Sequence, residues 1–251
     1  MLKDKVILKI RDIGKIYHTK EKEILAVDNF SFDLKQGEFV AIVGPSGCGK
    51  STILSILCGL EDASSGTINK VDNLKFGYML QSDNLFEWCT IYKNCILGLE
   101  IQNLKDKEHI KYVNSLIKTY GLLEFKDAYP SNLSGGMRQR GSLIRTLATK
   151  PDVLLLDEPF SALDQETRLA VSDDVYRIIK KENKSAIMVT HDIGEAVSMA
   201  DRVIVLSDRP SKVKNIYEIK IKNRKNPIEN RKTKEFSDYY DLIWKDIGYH
   251  V

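Results

Sequence analysis

Residues 44–51, Gly44-Pro45-Ser46-Gly47-Cys48-Gly49-Lys50-Ser51, leave this chain little freedom of architecture. The pattern G-x-x-x-x-G-K-[ST] works as a tight loop between a strand and a helix. Its glycines let the backbone turn N–H groups toward a phosphate, and the helix that follows adds partial positive charge at its N-terminus. The flanks supply both halves: Phe39 to Val43 is an uninterrupted apolar run, and Thr52 to Cys58 is helical in pattern before Gly59, a suitable stop. Further apolar runs at Val6 to Ile10, Lys75 to Leu80, Val153 to Leu156, Ala186 to Val189 and Val203 to Leu206 read as strands. The later ones alternate with helical sequence, so the expected fold is α/β with a largely parallel sheet covered on both faces.

Between Trp88 and Thr149 the strand signal fades, while Ile110, Val113, Ile117 and Tyr120 repeat at helical spacing before Gly121. That segment reads as a helical insertion folding back onto the sheet. After Ser207 come an alternating stretch over Ile216 to Ile221, a basic run, and an amphipathic helix with Phe236, Tyr239, Tyr240, Ile243 and Ile247 near one face. This tail reads as an appendage packed on the core. The cations Lys222, Arg224, Lys225, Arg231, Lys232 and Lys234 are read as a solvated connector, with attraction to an anionic membrane surface as the alternative.

Composition narrows the class. The 251 residues are 43% hydrophobic and 29% charged, an ordinary soluble balance, and a net charge of +3 is too small to imply a nucleic-acid partner. Cys48, Cys58, Cys89 and Cys95 lack the paired short spacing of a zinc site and suit a reducing compartment. Met1 to Lys5 lacks the apolar core of a secretory signal, and no apolar run approaches the roughly 18 residues that span a bilayer. A cytoplasmic chain is expected, with any membrane role acting through a partner.

Several residues carry candidate chemistry. Lys50 can reach the outer phosphates of a nucleotide and Ser51 can ligate Mg²⁺. Val153-Leu154-Leu155-Leu156-Asp157-Glu158-Pro159 is an apolar strand ending in two carboxylates. Successive residues at a strand end point different ways, so Asp157 can serve the Mg²⁺ shell while Glu158 faces an attacking water as general base. His191 follows the run Ser185 to Thr190, at the edge where ligands collect in parallel sheets, and is placed to donate to a γ-phosphate; the bland alternative is a packed or solvated histidine. Gln81 can complete the Mg²⁺ and water shell or be a surface residue. Tyr17 is read as packing, or as a base-stacking aromatic. Cys48, at a helix N-terminus where thiolate is favoured, is either a small loop filler or a redox-sensitive thiol that ATP would shield from alkylation.

Leu133-Ser134-Gly135-Gly136-Met137-Arg138-Gln139-Arg140 adds a second glycine pair at a helix start, with no phosphate loop of its own. It resembles the signature motif of ATP-binding cassette (ABC) ATPases. The order Tyr17, Gly44 to Ser51, Gln81, Leu133 to Arg140, Val153 to Glu158, Ser161-Ala162-Leu163-Asp164 and His191 matches that family over about residues 6 to 207. The resemblance implies a P-loop NTPase (RecA-like) core with a mainly parallel sheet, N-terminal antiparallel strands and an inserted helical subdomain at about 88–149. It implies an ATPase domain over residues 1–215 and a strand-linker-helix appendage over 216–251.

By the same resemblance Tyr17 stacks on adenine, and Gly44, Pro45, Ser46, Gly47, Cys48, Gly49, Lys50, Ser51 and Thr52 hold ATP. Ser51, Gln81 and Asp157 hold Mg²⁺, Gln81 is the coupling glutamine and His191 the switch histidine. Ser134, Gly135 and Gly136 face the ATP of a second copy, and Asp164 lies in the loop through which the two copies communicate. The implied assembly is a homodimer bound to integral-membrane permease subunits and, indirectly, to an extracytoplasmic solute-binding protein.

Gln81-Ser82-Asp83-Asn84-Leu85-Phe86-Glu87-Trp88 and Asp157-Glu158-Pro159-Phe160-Ser161-Ala162-Leu163-Asp164, with the Asp208-Arg209-Pro210 turn, resemble the nitrate/sulfonate/taurine importer branch. Glu87 replaces a proline usual in that branch, and Gly141-Ser142-Leu143-Ile144 replaces a helix richer in alanine and valine. The alternatives are an exporter or lipid-release motor, a soluble ABC ATPase acting on nucleic acid or ribosomes, and a small-molecule kinase. The last would leave the signature and His191 without purpose.

Overall fold

The structure, a computed structural model, describes residues 5–161 and 163–248. Strands β1 (Val6–His18) and β2 (Glu23–Lys35) precede β3 (Phe39–Val43), α1 (Lys50–Leu57), β4 (Ser65–Lys70) and β5 (Phe76–Met79). Three longer helices follow: α2 (Ile91–Ile101), α3 (Lys107–Thr119) and α4 (Gly135–Ala148). The chain then alternates through β6 (Val153–Asp157), α5 (Gln165–Lys181), β7 (Ser185–Thr190), α6 (Ile193–Met199), β8 (Arg202–Leu206) and β9 (Val213–Glu218), ending in α7 (Pro227–Asn230) and α8 (Lys234–Ile247).

The main sheet has the order β5-β6-β7-β3-β8-β9, parallel except for β9, and a smaller antiparallel sheet has the order β2-β1-β4. This is the α/β arrangement expected, with antiparallel strands at the N-terminus. Every residue of β3, β6 and β7 is buried, the pattern of parallel strands covered on both sides. Along β3, Phe39, Ala41 and Val43 enter one apolar cluster and Val40 and Ile42 the other, so the strand that feeds the phosphate loop is clamped between two cores.

β1 runs well past the expected Ile10. Its register shifts between Ile10 and Ile13, around Asp12 at φ 53, and the polar residues beyond conceal the strand from a hydrophobicity reading. The helical insertion exists as α2 to α4, where Ile91, Cys95 and Leu99 join Leu143, Ile144 and Leu147 in one core. All six are fully buried, and each large aliphatic stabilises the insert by about 2 kcal/mol.

The alternating stretch expected at Ile216 to Ile221 forms strand only from Val213 to Glu218. Ile219 and Ile221 remain buried without strand pairing, and Ile219 N donates to Asp201 O at 2.9 Å. The 215/216 division thus falls inside β9, whose pairing with β8 ties the tail into the main sheet. α8 packs its expected face inward, with Ile243 fully buried and Phe236, Tyr240 and Trp244 forming a ladder of rings at 6.0 Å spacing.

The connector corrects the solvated reading. Arg224 Nη2 donates to Ala200 O at 2.7 Å, beyond the C-terminal end of α6, and the buried Asn230 donates to Ser198 O at 2.9 Å. Arg231 lies against Gly194. Arg224 and Arg231 are therefore staples between tail and core: Arg224 sits beyond the C-terminal end of α6, where a cation is favourable, and Arg231 sits beside Gly194 in the first turn of the same helix. Among the described residues no helix is long and apolar enough to cross a membrane.

Candidate active site

Strand order gathers the chemistry. β3 lies between β7 and β8, and β6 lies beside β7, so three adjacent parallel strands deliver their C-terminal ends to one edge. Register refines this: Val43 is level with Thr190, and Asp157 is level with Val189. The residues just beyond, Gly44, Glu158 and His191, converge there, the edge where open α/β sheets bind ligands.

The phosphate loop turns at Gly47 (φ 72) and Gly49 (φ 126), conformations that side chains other than glycine's disfavour. A Cβ on Gly49 would also lie 3.1 Å from Ala26 O and from Ser211 Oγ. Lys50 is buried, and its ammonium donates to the carbonyls of Gly44 and Pro45, both at 2.9 Å. Ser51 Oγ donates to Asp157 Oδ1 at 3.0 Å, and Tyr78 OH donates to Asp157 Oδ2 at 3.1 Å. Burial pushes the Asp157 carboxyl up from its ordinary range, against those two hydrogen bonds.

Glu158 faces the other way, as the strand-end geometry predicts. Its Oε2 accepts from Gln81 Nε2 at 3.2 Å and lies 3.2 Å from His191 Nδ1. Its backbone is held at φ 43, sparsely populated for a residue with a Cβ and of the kind found at functional sites. Three bonds enforce it: Glu158 N donates to Val189 O at 2.9 Å, and Ser161 donates through N and Oγ to Glu158 O at 3.2 and 3.1 Å.

Ser51 and Asp157 together offer the hard oxygen donors that suit Mg²⁺, within reach of any phosphate on the loop. Gln81 bonds Glu158, so its side chain is engaged with the water-facing carboxylate rather than with Ser51 or Asp157. Tyr17 lies beside the loop helix. Its hydroxyl donates to Glu61 Oε2 at 2.6 Å and lies 3.3 Å from Thr52 Oγ1, while Lys15 Nζ lies 5.0 Å from the ring centroid.

Of the two readings of Cys48, its burial supports the small filler. Cys48 is 2% exposed and burial pushes its thiol up, outweighing the nearby Lys50 charge. It behaves as a small buried filler, its sulfur 3.2 Å from where a Cβ on Gly44 would stand.

The second glycine pair lies at the start of α4. Ser134 is exposed and caps the helix, its Oγ accepting from Met137 N at 3.4 Å. Gly136, expected to face a partner, is buried toward α5: a Cβ there would lie 2.9 Å from Thr167 Cγ2 and 3.2 Å from Val171 Cγ2. Its lack of a side chain serves helix packing, which leaves Ser134 and the half-buried Gly135 as the outward part of the motif. Asp164 is exposed and caps α5, accepting from Thr167 N at 3.0 Å. Ala162 of the same loop lies outside the described residues.

Sequence reasoning missed three contributors. Tyr78 on β5 reads as an ordinary strand residue, yet its hydroxyl orients Asp157. Glu195, four residues after His191, is buried behind it, with its carboxyl pushed up to about 7 by desolvation. Thr190 Oγ1 donates to Glu195 Oε2 at 2.6 Å and accepts from Asp192 N at 3.0 Å, so the turn carrying His191 is built on this buried acid. Arg209 donates to Gly47 O; the Asp208-Arg209-Pro210 turn was visible in the sequence, but nothing there places it at the loop.

The sequence profile of the family described as ABC transporter matches residues 27–161. The chain belongs to the ABC transporter family. This ABC ATPase is similar to the nitrate import ATP-binding protein NrtD of Synechocystis sp., with 38% identity over 248 residues covering 94% of this chain and 93% of that one. The aliphatic sulfonates import ATP-binding protein SsuB of Bacillus cereus is 34% identical over 218 residues, covering 84% of this chain and 86% of that protein. Among solved structures, the dimeric post-hydrolysis state of the ATP-binding cassette MJ0796 bound to ADP and Pi superposes with a TM-score of 0.74 at 30% identity, covering 86% of this chain and 100% of that one.

Proposed function

We propose that this ABC ATPase is the ATP-hydrolysing subunit of an importer for a sulfonate, nitrate, taurine or a related small solute, working as a homodimer at the cytoplasmic face of the membrane. The observation that carries the chemistry is the Glu158 carboxylate shared by Gln81 and His191 at the mouth of the phosphate loop. Glu158 orients and deprotonates the attacking water, Gln81 and His191 fix the rotamer in which it does so, and His191 donates to the γ-phosphate as charge develops. Backbone N–H groups between Gly44 and Thr52 cradle the phosphates with Lys50, while Tyr17 supports the adenine. When bound, Mg²⁺ neutralises phosphate charge, and the residues that would hold it are Ser51 and Asp157, with Gln81 able to join them only by leaving Glu158.

Ser134 and Gly135 close over the ATP of the second copy, Gly136 contributes its backbone N–H, and Asp164 carries the state of one site to the other. The ATPase domain expected over residues 1–215 is extended to the end of β9 at Glu218, with the helical insert at about 88–149, and the appendage is assigned to the residues that follow. An exposed pair, Trp88 stacked on Phe86 at 4.8 Å in the segment after Gln81, supports permease docking there. The solute-binding protein acts on the far side of the membrane, and the nitrate and sulfonate import relatives support the choice of cargo.

Affinity purification of the tagged chain from its native membranes tests this. Integral-membrane subunits that, once reconstituted with this chain, drive ATP-dependent uptake of nitrate or a sulfonate are expected. Uptake of neither, outward transport, or recovery of RNA in place of membrane subunits would sink the importer assignment.

A further inference from the structure

We propose that Arg209 is a positioning residue of the phosphate loop, locking the Gly47–Cys48 peptide in the orientation that binds phosphate. The inference rests on the reading of Gly44 to Ser51 as the ATP site. That peptide is gripped on both edges. The Arg209 guanidinium donates to Gly47 O on one, and Cys48 N donates to Pro45 O at 3.3 Å on the other. Gly47, at φ 72, leaves the peptide freer to rotate than a residue with a Cβ would. A flipped peptide would break the Cys48 N bond to Pro45 O and turn the Gly47 carbonyl into the loop, where its negative end repels phosphate; a cation outside the loop holds that carbonyl outward.

The arm that delivers the guanidinium is rigid. Arg209 lies between β8 and β9, in a turn where Ser207 Oγ donates to Pro210 O at 3.2 Å and accepts from Lys212 N at 3.0 Å. Two residues on, the fully buried Ser211 bridges to β2: its N donates to Ala26 O and its O accepts from Asp28 N, both at 3.0 Å. Ser211 Oγ also bounds the space over Gly49. One turn thus braces both loop glycines, Gly47 through an arginine and Gly49 through a serine. Arg209 lines the same cleft as Lys50, Ser51, Thr52 and Glu158, and its charge adds to the field there.

Because the lock acts on the whole loop, it serves every phosphate the loop holds. Arg209→Ala is expected to weaken ATP and ADP binding alike, by about tenfold, the scale of one charge-assisted hydrogen bond. KM for ATP rises by the same factor while kcat at saturation and Tm stay close to the parent. Arg209→Lys, which keeps the charge and a donor, restores affinity to within about threefold. Loss confined to ATP would make Arg209 a γ-phosphate contact and overturn the positioning role, as would unchanged affinities or a fall in kcat and Tm together. Lys50→Ala separates the two layers: if it binds ATP as the parent does, the phosphate-loop reading itself fails, whereas lost binding there with normal binding in Arg209→Ala sinks the Arg209 proposal alone.

Discussion

The two ends of this molecule that the proposed function brings to ATP are built on opposite plans. At the phosphate end, groups from β3, β5, β6 and β7 meet within hydrogen-bond distance, with Ser51 on Asp157, Tyr78 on Asp157, and Gln81 and His191 on Glu158. At the signature end, Ser134 and Asp164 are exposed and use their side chains to cap their own helices. The first end is preorganised inside one chain. The second satisfies its local helix and otherwise presents itself outward, as half of a site completed in the proposed dimer would. Rate-determining charge stabilisation needs fixed dipoles, and gating needs a surface that can come and go.

The contrast can be broken most decisively at Ser134. Ser134→Arg is expected to abolish turnover while leaving ATP binding by the isolated chain near normal; steady-state ATPase assays beside nucleotide titrations check it, and full turnover would remove the signature end from the site. Next comes Glu158→Gln, expected to keep ATP bound and to slow hydrolysis about 10²- to 10⁴-fold. Near-normal hydrolysis would reassign the base.

The phosphate end should also show a pH signature. Glu195 holds its proton to about pH 7 when folded, against 4.5 for the ordinary side chain, so the folded state binds the extra proton between those values. Its contribution is fully present below pH 4.5 and declines by about 3 kcal/mol as pH rises to 7. Arg168, Asp192 and Arg231 surround it and modulate the figure. Thermal melts from pH 5 to 8 of the parent and Glu195→Gln should diverge progressively; parallel curves would deny the buried acid this role.

Gly136→Ala should destabilise by about 1–3 kcal/mol through overpacking against Thr167. Pairing it with Thr167→Ala should recover most of that loss, while a purely partner-facing glycine would show neither effect. The smallest expected effect concerns Cys48, which should resist alkylation of the native chain with or without ATP, while Cys89, only half-buried, reacts. ATP-dependent labelling of Cys48 would mean the loop opens.

Much of the phosphate end is legible in the chain itself, because each central strand is an apolar run ending in the polar residue it delivers. Val153 to Glu158 shows a strand and two acids that point to different partners, Asp157 to Ser51 and Glu158 to Gln81 and His191, in six letters. What stayed hidden depends on neighbours remote in sequence. Tyr78 gains its role only when β5 pairs with β6, and Gly136 turns inward only because α5 packs there. Of the two readings of Cys48, burial supports the filler, since helix-terminus electrostatics favours thiolate only while water reaches the sulfur. Arg224 and Arg231 look like solvated charge until the carbonyls beyond α6 and the space beside Gly194 claim them.

One helix touches both plans. α4 begins at Ser134, and along its flank Arg138 pairs with Asp83 at 3.2 Å while Arg145 donates to the carbonyls of Asp83 and Asn84 at 2.8 and 2.7 Å. Those carbonyls belong to the stretch joining Gln81 to Trp88. Its 14 residues make a rod about 21 Å long. In the proposed assembly, this flank joins the Trp88 segment to the Ser134 edge offered to the second copy. In that proposed assembly the rod would work like a crank, with arginines and the buried Leu85 for bearings.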